Sequence, residues 1–357
     1  MTHAQETSTN HPISPANNMP LQADLVLEGG GVRGIGHVGA LSVLEEKGYQ
    51  WVNIAGTSAG AFVAALLAAG YKASELYDIM KNEVQFSRFA HDPGLDGVIL
   101  VEALHMLQRA GIHTGNFIET FMRQKLSAKG IVKFGDLVLN AQEPKHSNFR
   151  YRLAVIASDI STGSMLRLPQ DMLHFGLDPD ELDIALAVRM STSIPFFFMP
   201  VHKKHADGSA SLIVDGGLLS NFPVYLFDVP DTPRRPTFGL RLVDAPPTPE
   251  QPWPPNPTGN AWQIGHALLN TLLRAHDRLY MDDHTYVRTI AIPVHGISGT
   301  KFDLSPQEAD TLYQNGRNAA AQFFSSWDFE AYKATYRNGH PPRSRRERLH
   351  EHMKRAG

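Results

Sequence analysis

The chain has 357 residues, 42% of them hydrophobic and 19% charged, with 29 glycines, 24 prolines and no cysteine. That apolar content suits a folded protein with a sizeable core, while the missing cysteines exclude a disulfide scaffold, a thiolate zinc site and a cysteine nucleophile. A formal charge of −3, from 33 basic and 36 acidic side chains, provides no general attraction to nucleic acid.

Residues 1–20 are polar and prolyl and lack the apolar stretch of a secretory signal, so they are expected to form a disordered arm on a cytoplasmic protein. The longest near-apolar stretch, Ala59 to Tyr71, is shorter than the ~20 residues needed to cross a bilayer. From Ala23 onward, apolar runs alternate with helical patterns, as in an α/β layered fold. Asp24–Glu28 is a predicted strand, followed by a glycine loop and a helix near Gly36–Lys47. Trp51–Ala55 is a second strand, and the alanine-rich helix after it ends near Gly70. With almost no polar face, that helix must lie between other layers.

Residues 73–130 are predicted to be helical, with interruptions at Gly94, Gly97, Gly111 and Gly115. Further strands are expected at Arg150–Ala157, Met165–Leu168 and Leu212–Val214, with a helix over Glu181–Ser191. Ten prolines fall between Val229 and Gly259 around one strand-like piece, Thr237–Val243. Because strands continue on both sides, this stretch is read as a rigid surface loop within one domain, not as a linker. Asn260–Asp282 is a helix candidate and Tyr286–Ile292 a strand candidate. Ser305, Pro306 and Glu308 supply a helix N-cap, a proline in the first turn and a capping-box carboxylate. Length alone suggests about two domains. The element pattern instead predicts one, over 21–335, followed by a basic tail at 336–357.

Two glycine-rich turns carry chemistry. Gly29-Gly30-Gly31-Val32-Arg33-Gly34 lies between a strand and a helix, where it matches the dinucleotide-binding pattern. That function also needs an acid at the end of the second strand, and Asn53-Ile54-Ala55-Gly56 has none. Nor is the Gly-Lys-Ser/Thr of a phosphate loop present. Consecutive glycines can instead turn backbone N–H groups toward one point as an oxyanion hole, worth ~2.7–4 kcal/mol per donor. The second turn, Gly56-Thr57-Ser58-Ala59-Gly60, is a nucleophile elbow between strand and helix, with Ser58 as the candidate nucleophile. A serine hydroxyl needs a base. It can be one of 17 histidines in a triad, or Asp215 of Asp215-Gly216-Gly217 acting directly.

Together these residues resemble the patatin-like phospholipase family, of the bacterial type. Four blocks carry the likeness in order: Gly29–Gly34, Gly56–Gly60, the Arg189-Met190-Ser191-Thr192-Ser193-Ile194-Pro195 stretch, and Asp215–Gly217. The blocks run from about residue 23 to 228, with a looser likeness to about 245. The resemblance implies a three-layer α/β/α sandwich around a mostly parallel sheet. It also implies a lipid acyl hydrolase with Ser58 as nucleophile, Asp215 as base and Gly29–Gly34 as oxyanion hole, acting through an acyl-serine without metal or cofactor. The expected partner is a lipid or acyl-ester substrate. A soluble esterase, thioesterase or acyltransferase, or a lipid-binding protein with little turnover, are the alternatives.

Lesser features are ambiguous. Arg33 suits either a phosphate headgroup or a salt bridge, and Arg189 either a substrate or a structural partner. The Ser193–Pro200 stretch, with Pro195, Phe196 and Phe197 foremost, is a candidate for an acyl-chain groove or for core. Asp159 suits a turn or the site. His202, His205, His350 and His352 lack the converging geometry of metal ligands. Residues 340–357 hold six Lys/Arg and two Glu, enough to favour peripheral contact with an anionic membrane, or to form a solvated helix.

Overall fold

The computed structural model describes residues 21–84, 111–205, 207–244, 283–299 and 303–337, with 259, 267, 271 and 301 besides. The N-terminal arm, residues 85–110 of the predicted helical stretch, residues 245–258 of the proline-rich stretch, the helix candidate at 260–282 apart from 267 and 271, and the tail beyond 337 lie outside the described residues.

Strand β1 (Leu21–Leu27) is followed by a 3₁₀ turn at Gly31–Gly34 and helix α1 (Ile35–Glu46). Next come β2 (Tyr49–Thr57), α2 (Ala59–Ala68) and α3 (Ala73–Asp78). The short β3 (Gly111–His113) leads into α4 (Asn116–Ala128). A hairpin of β4 (Leu153–Asp159) and β5 (Ser164–Leu168) precedes α5 (Ile184–Ser191). Three strands follow: β6 (Phe196–Phe198), β7 (Val201–Lys204) and β8 (Ala210–Asp215). The last strands are β9 (Thr237–Val243) and β10 (Thr289–Pro293), and α6 (Pro306–Phe324) and α7 (Phe329–Tyr336) close the described chain.

The main sheet has the order β10-β9-β1-β2-β4-β8-β7, with β5 added to β4. Pairs from β10 to β4 are parallel, while β8 and β5 run antiparallel to β4 and β7 antiparallel to β8. This is the mostly parallel α/β sheet expected from the sequence. Alternation along the strands gives each face its own core. Leu25, Leu27, Val155 and Ala157 join the large cluster with α1, α2, α4 and α5. Val26, Ala55, Ala154 and Ile156 face the other way, onto Val224, Leu226 and Phe227. Among the described residues, the Phe222–Phe227 segment packs on that second face together with Phe149 and Met165.

Helix α2 is buried along nearly its whole length, as its composition demands. The capping box at Ser305 forms as expected, with Ser305 Oγ accepting from the Glu308 N–H and Glu308 accepting from the Ser305 N–H. Two expectations change. Gly111–His113 is a strand, because it finds a partner in Phe196–Phe198, some 85 residues away, which no local pattern announces. Residues 283–286 form a helical turn, so the last strand begins at Thr289. Arg337 is buried and donates to the Asp231 carbonyl, beside the Arg288–Asp228 ion pair.

Helices α1 and α6 approach so closely that glycine is required at the contact. A Cβ on Gly39 would lie 1.9 Å from the Tyr313 carbonyl oxygen, and one on Gly316 would lie 2.0 Å from that of Gly36. Gly316→Val should therefore lower stability by about 2–4 kcal/mol, measured as a shift in urea midpoint at constant m-value. The exposed Gly130→Ala makes a poor control because its φ is +73°; Ser127→Ala on the α4 surface is the appropriate one.

Candidate active site

Ser58 stands between the end of β2 and the start of α2, with φ 52° and ψ −122°. This is a conformation L-residues rarely adopt, and it lifts the side chain off the strand. The neighbouring glycines allow the turn. A Cβ on Gly56 would lie 2.3 Å from the Gly60 oxygen, and one on Gly60 would lie 2.3 Å from the Leu27 oxygen. Thr57 Oγ1 donates to the Ser220 carbonyl at 3.1 Å, and Ala59 packs against Gly34.

Asp215 ends β8. Strand β4 sets its height in the sheet: Thr57 pairs with Ile156 on one side and Asp215 with Ala157 on the other. Ser58 Oγ donates to Asp215 Oδ2 at 2.5 Å, and the Gly217 N–H donates to Oδ1 at 2.8 Å. Gly216 is required here, because a Cβ would lie 2.2 Å from the Ile156 oxygen. Both Ser58 and Asp215 are buried. Burial pushes the Asp215 carboxyl up to about 6, against the pull of the Ser58 and Gly217 hydrogen bonds. Among the described residues, no histidine bonds to either side chain.

The glycine loop wraps against the elbow, and a Cβ on Gly29 would lie 3.2 Å from Ser58 Cβ. Its backbone donors are not equivalent. The Gly29 N–H donates to the Asn221 carbonyl, and the Arg33 N–H to the Gly30 carbonyl. The Val32 N–H donates to the Gly299 carbonyl at 3.0 Å. The N–H groups of Gly30 and Gly31 have no partner among the described residues. Gly31 has φ +59°, and a Cβ there would lie 1.9 Å from the Gly299 oxygen.

Beside Ser58 opens a largely apolar cleft, lined by Phe62, Met80, Ile118, Ile194 and Phe198 among others. The expected groove residues Pro195, Phe196 and Phe197 are not in that lining, whereas Ile194 and Phe198 of the same segment are. Arg189 takes the structural alternative. It is buried and donates to the Thr114 and Met199 carbonyls and to Ser193 Oγ, leaving it committed to holding three segments together. Arg33 is likewise engaged, through Nε to the Gly30 carbonyl and an ion pair with Asp244. Asp159 makes the expected turn, accepting from the Ser161 and Thr162 N–H groups. His205 bonds to Ser211 Oγ and stacks on Phe175.

The family model of the patatin-like phospholipases matches residues 25–228, which contain all of these turns. The chain belongs to the patatin-like phospholipase family. Membership places it among the lipid hydrolases. YqhO, an uncharacterized protein of Bacillus subtilis, is 38% identical over 312 residues, covering 86% of this chain and 99% of that one. The lysophospholipase NTE1 of Saccharomyces cerevisiae is 46% identical over 57 residues, 16% of this chain and 3% of that protein. Among solved structures, VipD from Legionella pneumophila aligns with a TM-score of 0.45 at 17% identity, covering 86% of this chain and 67% of that chain.

Sequence reasoning missed Asn221, whose Nδ2 donates to the Gly29 carbonyl, and Gly299, because neither belongs to a local pattern. Ser191, within the Arg189–Pro195 block, accepts the Ser58 N–H at 2.9 Å.

The raised Asp215 pKa has a consequence for stability. The folded state holds this proton more tightly than the unfolded chain does, so the contribution of Asp215 is most favourable below about pH 3.8 and is lost as pH rises through about 6. Asp215→Asn keeps an acceptor for Gly217 and removes the buried charge. It should stabilise the protein by up to about 3 kcal/mol at pH 8 and by little at pH 4, as read from urea unfolding at the two pH values.

Proposed function

We propose that this patatin-like protein hydrolyses carboxylic ester bonds of glycerolipids through a Ser58–Asp215 dyad and an acyl-serine intermediate. The observation that carries this reading is the 2.5 Å bond from Ser58 Oγ to a buried carboxylate, made at a strained strand-to-helix turn. A carboxyl held near 6 is a better proton acceptor than an ordinary one near 4, and is still mostly ionised at neutral pH.

As Ser58 Oγ attacks the ester carbonyl, its proton passes to Asp215 Oδ2. The carbonyl oxygen, now negative, is met by the Gly30 and Gly31 N–H groups, with the N-terminus of α2 adding positive potential. Collapse of this intermediate expels the alcohol, which takes the proton from Asp215. Water then attacks the acyl-serine as Asp215 takes its proton; the bond to Ser58 Oγ breaks, Asp215 returns the proton to that oxygen, and the fatty acid is released. The apolar cleft beside Ser58 suits a hydrocarbon chain and offers little to a charged acyl group.

Ser58→Ala and Asp215→Asn should each reduce kcat on phospholipid vesicles and on short acyl esters by about 10⁴-fold or more, with folding retained. Chelator should leave the wild-type rate unchanged. The profile of kcat/KM should rise with pH through about 6 and then level, as expected for a base that must be ionised. Full activity of Ser58→Ala would remove the nucleophile assignment. Binding of vesicles with no turnover of any ester would instead favour a lipid-binding protein.

Substituting the cleft wall should tune chain length. Ile194→Trp should lower kcat/KM for long-chain esters at least tenfold relative to butyrate esters, because loss of a few methylene contacts costs about 1–3 kcal/mol each.

A further inference from the structure

The loop that ends α5 touches both members of the Ser58–Asp215 pair. The Ser58 N–H donates to Ser191 Oγ at 2.9 Å, and Ser191 Oγ donates to the Ile156 carbonyl at 2.5 Å. Two residues on, the Ser193 carbonyl accepts the Asp215 N–H at 2.9 Å. Ser191 and Ser193 are both fully buried.

A hydroxyl has one proton to give. That of Ser191 is directed to Ile156 on β4, so a lone pair faces the Ser58 N–H. The bond therefore links the nucleophile's backbone, through one side chain, to the strand that sets the height of both β2 and β8. The Ser58 N–H precedes the first helical turn and has no acceptor within α2, and it belongs to a residue held at φ 52°. An unsatisfied buried N–H and an unsupported strained turn both favour relaxation of the backbone, which would swing Oγ away from Asp215.

The other hydroxyls of this loop act differently. Thr192 Oγ1 donates to the Val188 carbonyl, and Ser193 Oγ to that of Arg189, both within the loop's own helix. Arg189 in turn holds the loop by donating to Ser193 Oγ and to the Thr114 and Met199 carbonyls.

We propose that Ser191 is a positioning residue that aims the nucleophile by fixing the Ser58 backbone, and that the Arg189–Ser193 block is the bracket that carries it. The proposal rests on Ser58 being the nucleophile. It also assigns the Ser58 N–H to the bracket, leaving oxyanion stabilisation to the glycine loop.

The test compares Ser191→Ala and Ser191→Thr with the wild type in ester turnover and in the rate of covalent labelling by a fluorophosphonate. Ser191→Ala should lower kcat and the maximal labelling rate together, by 10- to 100-fold, with KM and the probe's binding constant within twofold. Ser191→Thr, which retains the hydroxyl, should restore both rates to within about fivefold of wild type. Should alanine prevent folding, Ser191→Cys preserves the side chain's shape with a weaker acceptor, and it should show the same fall in kcat at constant KM. A folded Ser191→Ala or Ser191→Cys with wild-type kcat and labelling rate overturns the positioning role. So does a loss expressed in KM alone. Labelling of the wild type at Ser58, abolished in Ser58→Ala, reports on the nucleophile separately. If that labelling is seen, a negative Ser191 result counts against the bracket alone; if it is absent, both readings fall.

Discussion

Strand β4 is the ruler on which the site is built. It pairs in parallel with β2 and antiparallel with β8, so two strands arriving from opposite directions both end beside Ile156 and Ala157. With neighbouring strands about 4.8 Å apart, the ends of β2 and β8 stand roughly two spacings from one another. The turn at Ser58 crosses that gap. The Ile156 carbonyl limits the space at Gly216 and also receives the Ser191 hydroxyl, so one peptide of β4 touches the surroundings of both side chains.

Burial works in two directions here. Taking Asp215 out of water raises its proton affinity, which suits a base and weakens the fold at neutral pH. The structure responds with short local bonds in place of a cation. Asp215 is held by Ser58 and by the Gly217 N–H, and the buried Arg189 is held by carbonyls and a hydroxyl. A positive partner beside Asp215 would stabilise its charge and lower its basicity. Charge and countercharge are thus kept in separate places within the same small region.

The parts of the site legible in sequence are those where sterics leave no choice of residue. Gly56, Gly60 and Gly216 each face a carbonyl oxygen at a distance that forbids a Cβ, so the turns are written in glycine and can be recognised. Strands β4 and β8 were legible because burial on both faces demands apolar runs. What escaped was partnership at long range. Nothing near Val32 indicates that its N–H meets Gly299, and nothing in a run of small hydroxyl residues separates Ser191 from Thr192. Arg189 illustrates the same limit: an arginine in a family block suits substrate or scaffold equally until its carbonyl partners are known. The three-residue strands β3 and β6 are too short for a period to register.

The strand order also fixes the sequence of events while the protein is being made. β1 pairs with β2 on one side and with β9 on the other, yet β9 begins only at Thr237, beyond the end of the family match at 228. Everything that carries the nucleophile and its partner has therefore been made while one edge of β1 is still bare. At ordinary synthesis rates of 5–20 residues per second, that edge waits roughly 10–40 s after β2 for its cover. An apolar strand with an open edge invites pairing with another chain, and a fragment trimmed to residues 25–228 would leave that edge of β1 without its β9 partner.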